Sequence, residues 1–167
     1  HPLPPYSYVP RLAAHPISDP RGHSCGVAEP PVHPLDTSTY ATNATYLFAV
    51  DLFNHGFYWE AHEEWERLWH LAGRTGPTAD FLKGLIKLAA AGVKLREGRP
   101  AGVKQHATRC VELLQHAANA QDTTFGLQLT DICNFATELA SNPSKSIEAD
   151  SPNAARTLDF TLQLNKP

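Results

Sequence analysis

Proline is distributed unevenly along this chain of 167 residues, and its distribution limits where long helices can form. Residues 1–36 contain nine of the 14 prolines and four of the nine histidines. Because proline fixes φ and biases its predecessor toward extended backbone, no long helix is expected there. We predict a proline- and histidine-rich N-terminal arm over residues 1–36, which can lie on the domain surface through Tyr6, Tyr8, Val9 and Leu12.

From about Thr39 the hydrophobic pattern becomes helical, and Gly, Asn and Pro signals divide it. The pattern predicts five helices, over residues 39–54, 57–71, 78–97, 101–120 and 128–140. Ser38 or Thr39 is expected to cap the first helix. Short connections favour antiparallel neighbours. The predicted fold class is therefore all-α, a small antiparallel bundle of about five helices over residues 37–142.

The remaining tail, residues 143–167, is polar apart from an apolar patch at Leu158, Phe160 and Leu162. The patch alternates like a strand but is too short to build a sheet. With a net charge of -3, the chain lacks the basic excess typical of nucleic-acid binding. No apolar run approaches the ~20 residues of a membrane span, so no membrane partner is expected.

Composition also bears on the cellular compartment. The N-terminus shows no basic region followed by an apolar core, so we expect no signal peptide. The three cysteines, Cys25, Cys110 and Cys133, are far apart and form no CxxC pair. This odd count favours reduced thiols and a cytoplasmic location.

The run from Phe57 to Trp69 carries the chemistry of the chain, with four acids, one histidine and all three tryptophans. On a helix, Trp65 and Trp69 fall within about 60° of His62 and belong to the apolar face. Glu66 lies roughly 40° to the other side of His62, just beyond that face. Glu63 is further out, and Glu60 and Glu64 are predicted to be solvated. His62 and Glu66 are therefore the candidate pair at the boundary.

The following helices offer partners for this pair. By spacing, His106 faces inward on the fourth helix, and Arg96 lies on the apolar side of the third. A half-buried arginine requires a carboxylate, and Glu66 is the expected partner. Lysines 83, 87 and 94 are predicted to form a solvated stripe elsewhere on the third helix.

Two blocks of the sequence point to a family. The first runs from Phe53 to Trp69 and contains His-x-x-x-Glu-x-x-Trp at His62, Glu66 and Trp69; the second covers Phe81 to Gly98. Together they resemble the bacterial and archaeal family called domain of unknown function 309, over about residues 45–115. The resemblance implies an all-α fold, metal binding, and the family's general label of predicted metal-dependent hydrolase.

Three hypotheses follow for the site. In the first, His62 and Glu66 bind a divalent metal such as zinc, manganese or iron, with His106 as a further ligand and Glu63 as general base. The arm's His15, Asp19, His23 and His33 are the next ligand candidates.

In the second hypothesis the protein is a non-enzymatic helical interaction domain, whose His62, Glu66 and Arg96 form a structural polar network. Its arm would dock on a partner or on a second copy of the chain. In the third, Tyr58 and Trp69 wall a metal-free small-molecule pocket in which His62 acts as acid or base, and Arg96 is the further residue assigned to that pocket. The expected partners are thus an unknown small molecule or the chain itself.

Overall fold

The computed structural model describes residues 2–120, 125–143 and 156–165. Within these ranges it contains five α-helices and no strand, which confirms the all-α prediction. The helices are α1 Ala44–Asn54, α2 Tyr58–Leu71, α3 Pro77–Arg96, α4 Pro100–Ala120 and α5 Leu129–Ser141, with a short 3-10 helix Tyr40–Thr42 before α1. His1 of the predicted arm, and residues 144–155 and 166–167 of the predicted tail, lie outside the described residues.

The start of α1 differs from the sequence prediction. Asn43, rather than Ser38 or Thr39, caps the helix, and its Oδ1 accepts a hydrogen bond of 3.0 Å from the Tyr46 N–H. The same side chain donates through Nδ2 to the carbonyls of His33 and Pro34, at 3.1 and 3.2 Å. Asn43 therefore serves the helix end and the incoming arm together, which neither Ser38 nor Thr39 does.

Close glycine contacts fix how the helices pair. A Cβ on Gly92, late in α3, would lie 2.7 Å from Cγ of Tyr58 at the start of α2. A Cβ on Gly84, early in α3, would lie 2.5 Å from Cδ2 of Leu114, late in α4. Early and late residues thus meet across both interfaces, so α2, α3 and α4 run antiparallel to their neighbours, as predicted.

The core lies between these helices and contains the largest fully buried side chains: Trp65, Tyr46, Tyr58, Phe53 and Phe81. Burial of Trp65 confirms its predicted place on the core face of α2. Buried aromatic hydroxyls require partners. That of Tyr46 donates to the Phe125 carbonyl at 2.9 Å, which ties α1 to the segment before α5.

The described part of the C-terminal tail covers the bundle. Leu158 and Leu162 are buried, and Phe160 stacks on Phe135 of α5 with ring centroids 4.5 Å apart. Asn54, the last residue of α1, holds the Leu162 backbone by two hydrogen bonds of 2.7 and 2.9 Å. The apolar patch is therefore part of the core, without forming a strand.

Candidate metal centre

The middle of α2 brings three potential metal ligands together. His62, Glu63 and Glu66 each offer one ligand atom, and these three atoms lie within 4.8 Å of one another. Spacing explains the arrangement, because residues four apart stack on one side of a helix. Nε2 of His62 lies 3.7 Å from Oε2 of Glu66, and the two side chains are 26% and 33% exposed. The group is thus half-buried and open to solvent.

Lys83 of α3 forms one wall of this group. Its Nζ lies 3.6 Å from Oε1 of Glu66 and 3.8 Å from the centroid of the Trp69 ring. The predicted solvated stripe was wrong at this position, because antiparallel packing brings the first half of α3 beside the second half of α2. The apolar pattern of α3 identified the residues that face the core. It did not show that Lys83, at the edge of this face, would contact Glu66 and Trp69 of α2.

Burial and the charges around the group shift the pKa of two of its members. Burial lowers the pKa of His62. The charge of Glu66 opposes this shift, whereas the nearby cations Lys83 and Lys87 lower the pKa further. Burial, followed by repulsion from other carboxylates with Glu66 foremost, raises the pKa of Glu63 to about 7. Each shift disfavours the charged form of the side chain.

Several predicted ligands lie outside the group. His106 is half-buried on α4, and its pKa is lowered by burial and by a set of charges that includes His62, yet it is not a member of the cluster. In the arm, His15 packs on Trp59 at 5.3 Å between ring centroids, and His23 faces Glu60. The third potential ligand in the group is Glu63, which the sequence predicted as a general base.

The environment of Glu60 differs most from what the sequence predicted. It was predicted to be solvated, but it is 5% exposed and receives the arm. The Tyr8 N–H donates to its Oε1 at 2.7 Å, the Ser7 hydroxyl lies 3.3 Å from its Oε2, and Nε2 of His23 lies 3.5 Å from Oε1. The arm thus supplies a polar surface for the side of α2 that faces away from the bundle core.

The predicted pair between Glu66 and Arg96 is replaced by a different arrangement. Arg96 is buried, as predicted, and burial lowers its pKa. The carboxylate that opposes this shift is Glu60. Glu66 instead lies beside His62 and Lys83. The proposed His62–Glu66–Arg96 network is therefore divided between two sides of α2.

The residues predicted to wall a pocket are engaged elsewhere. Tyr58 is buried in the core, and its hydroxyl accepts hydrogen bonds from the backbone N–H groups of Thr157 and Leu158, at 3.2 and 3.0 Å. Trp69 is half-buried beneath Lys83. The C-terminal tail supplied the partner of Tyr58, and no pattern in the sequence connected the two.

A cavity of about 550 Å³ lies instead between the arm, α1 and α2. Its apolar lining includes Ile17 of the arm, Phe48 of α1 and Trp59 of α2. Glu63 also lines it, so the cavity adjoins the ligand group. The sequence did not predict this space, because its walls meet only when the arm docks.

Comparison with known proteins gives a match to a family model over part of the chain. No helix in the described ranges is long and apolar enough to cross a bilayer. No curated protein shows a significant match to the chain. The model of a family described as "Domain of unknown function (DUF309)" matches residues 46–105, from α1 into α4, and this region contains His62, Glu63 and Glu66. Residues 46–105, which are 60 of the 167 residues of the chain, therefore match the domain of unknown function 309 family.

Proposed function

We propose that His62, Glu63 and Glu66 bind one divalent metal ion and that the protein acts as a metal-dependent hydrolase. The proposal rests on the three ligand atoms that lie within 4.8 Å of one another. Two ligands that each lie 2.0–2.2 Å from one ion are at most about 4.4 Å apart. Small side-chain rotations would therefore bring the three atoms around a common ion.

The donor chemistry fits such an ion. One imidazole nitrogen and two carboxylate oxygens suit zinc, manganese or iron, and a catalytic zinc ion typically has three protein ligands and one open position. A metal bound here would supply Lewis acidity and activate a water molecule. Lys83 now compensates the charge of Glu66 and would have to yield to the ion. The alternative role of Glu63 as general base would require another third ligand.

The test is metal binding by the chain purified without a histidine tag. We expect about one ion per chain by elemental analysis, and a rise in melting temperature when zinc or manganese is returned after chelation. His62→Ala should abolish both results, whereas His33→Ala, at an exposed arm residue, should change neither. A chelated wild-type protein that neither binds nor responds to these ions would refute the proposal.

A second candidate function is a non-enzymatic interaction domain, and the contact between Lys83 and Glu66 is the observation that favours it. This pair is 25% and 33% exposed, and partly exposed ion pairs contribute only about 0.2–1 kcal/mol. Glu66→Gln should therefore abolish metal binding with little effect on the metal-free protein. A large loss of stability in chelator would instead favour a structural role for the contacts of Glu66 with His62 and Lys83.

A further inference from the structure

The cavity beneath the arm has the dimensions of a small-molecule site. Its volume of about 550 Å³ falls within the ~300–1,000 Å³ typical of ligand pockets. Most lining residues are apolar and come from three separate segments: the arm, α1 and α2. Contacts on Trp59 by Tyr8 and His15, at 5.2 and 5.3 Å between ring centroids, hold the arm in place beside this space.

The charged residues of the lining give the cavity a negative character. Among the described residues, four carboxylates line it, those of Glu29, Glu60, Glu63 and Glu64, together with one guanidinium, that of Arg67. Arg67 is already engaged, because its Nη1 lies 2.7 Å from Glu64, its Nε lies 3.3 Å from Glu29, and Nη2 donates to the Pro30 carbonyl. The described part of the lining therefore offers an anionic ligand no lysine or arginine that is not already paired.

Glu63 differs from the other three carboxylates. Glu60 receives the arm, while Glu29 and Glu64 flank Arg67. Among the described residues, no hydrogen bond or ion pair reaches Glu63, although it lines the cavity. A half-buried carboxylate beside other carboxylates is stabilised by any cation that approaches it.

We propose that this cavity binds a small organic cation, a protonated amine carried on an apolar body. The apolar walls would cover the body of the ligand, and Glu63 would receive a charge-assisted hydrogen bond from its ammonium group. The proposal rests on the cavity and does not require the metal, although both involve Glu63. It is therefore tested on the full chain in a chelating buffer.

The probes are hexylamine, which is an ammonium ion at neutral pH, and the matched neutral and anionic compounds 1-hexanol and hexanoate. Trp59 lines the cavity, so its fluorescence reports binding, and Trp59→Phe assigns the signal. Isothermal titration calorimetry supplies the affinity. We expect saturable binding of hexylamine, at least about tenfold tighter than that of 1-hexanol, and still weaker binding of hexanoate.

Two variants locate the ligand. Glu63→Gln keeps the shape of the side chain and should weaken hexylamine binding about tenfold without affecting 1-hexanol. Ala44→Phe, at an exposed lining position at the start of α1, should fill part of the cavity and weaken both ligands. Glu112→Gln, on the exposed surface of α4, is the matched charge control and should leave both affinities unchanged.

His62→Ala separates this proposal from the metal site, since it should remove metal binding and leave hexylamine binding intact. Absence of saturable hexylamine binding to the wild-type chain would overturn the inference. Equal binding of hexylamine and hexanoate, or an unchanged affinity in Glu63→Gln, would also overturn it, because the charge of Glu63 would then have no role.

Discussion

Replacement of Glu60 by alanine should loosen the arm from the bundle. The Glu60 carboxylate accepts the Tyr8 N–H at 2.7 Å, and the Ser7 hydroxyl lies 3.3 Å from it. Ser7 also lies 3.2 Å from the Gly56 carbonyl, so its hydroxyl keeps an acceptor in the variant. The Tyr8 N–H loses its acceptor, and Arg96 loses the nearby charge that favours its ionised form.

The magnitude follows mainly from the Tyr8 N–H. A half-buried donor that loses its acceptor costs about 1–3 kcal/mol, and the loss of the Glu60 charge near Arg96 acts in the same direction. We therefore expect a loss of about 1–3 kcal/mol. A chain of this size loses about 2–4 °C in melting temperature per kcal/mol, so the melting temperature should fall by at least about 2 °C. The arm can also detach from α2, which exposes the Tyr8 N–H to water. The loss in free energy of unfolding therefore cannot exceed the free energy that holds the arm on the bundle.

Three measurements check this expectation on the metal-free chain. Circular dichroism gives the melting temperature, the emission maximum of Trp59 reports whether Tyr8 and His15 still cover its ring, and trypsin reports access to the arm. We expect a lower melting temperature, a red-shifted emission and faster cleavage in the arm. Glu112→Ala, at a 54% exposed side chain, is the control and should change none of them. A Glu60→Ala protein that behaves like this control would refute the reasoning.

Two further predictions concern other residues of α2. Burial and neighbouring carboxylates raise the pKa of Glu63 from its ordinary 4.5 to about 7, so the folded chain holds this proton more tightly than the unfolded chain does. Its contribution to the stability of the fold is therefore fully present below pH 4.5 and is lost as the pH rises through 7. Glu63→Gln should therefore be more stable than wild type at pH 8 in chelator, with the advantage disappearing near pH 4.5 in urea titrations. Tyr58→Phe removes the acceptor of two buried backbone N–H groups, those of Thr157 and Leu158, and should cost about 2–4 kcal/mol, measured by urea unfolding; an unchanged midpoint would show that the tail does not depend on this hydroxyl.

The sequence predicted those features that depend on a single helix. The 3.6-residue period placed Trp65 in the core and set His62 and Glu66 at the edge of the same face. Turn signals located all five helices to within a few residues, except that α1 begins at Ala44 after a separate 3-10 helix. These features follow from local geometry, which the order of residues determines directly.

Features that depend on a second segment were not predictable in this way. Glu60 was assigned to water because it points away from the bundle core, and the arm that covers it has no periodic pattern. Lys83 was assigned to a solvated stripe, yet its long side chain bends over Trp69 to reach Glu66. Helical spacing states where a side chain points but not what approaches it.

The four acids of α2 make this distinction physically important. Carboxylates three or four positions apart repel one another, and the spacing of Glu60, Glu63, Glu64 and Glu66 creates such pairs along the helix. Neighbouring groups offset the charge of three: the arm covers Glu60, Arg67 pairs with Glu64, and Lys83 approaches Glu66. Glu63 alone faces carboxylates, between the ligand group and the cavity. This uncompensated charge costs stability in the isolated chain, and a cation from either side would remove that cost. The two proposals therefore share one physical origin, and they differ in whether the cation that neutralises Glu63 is also bound by His62.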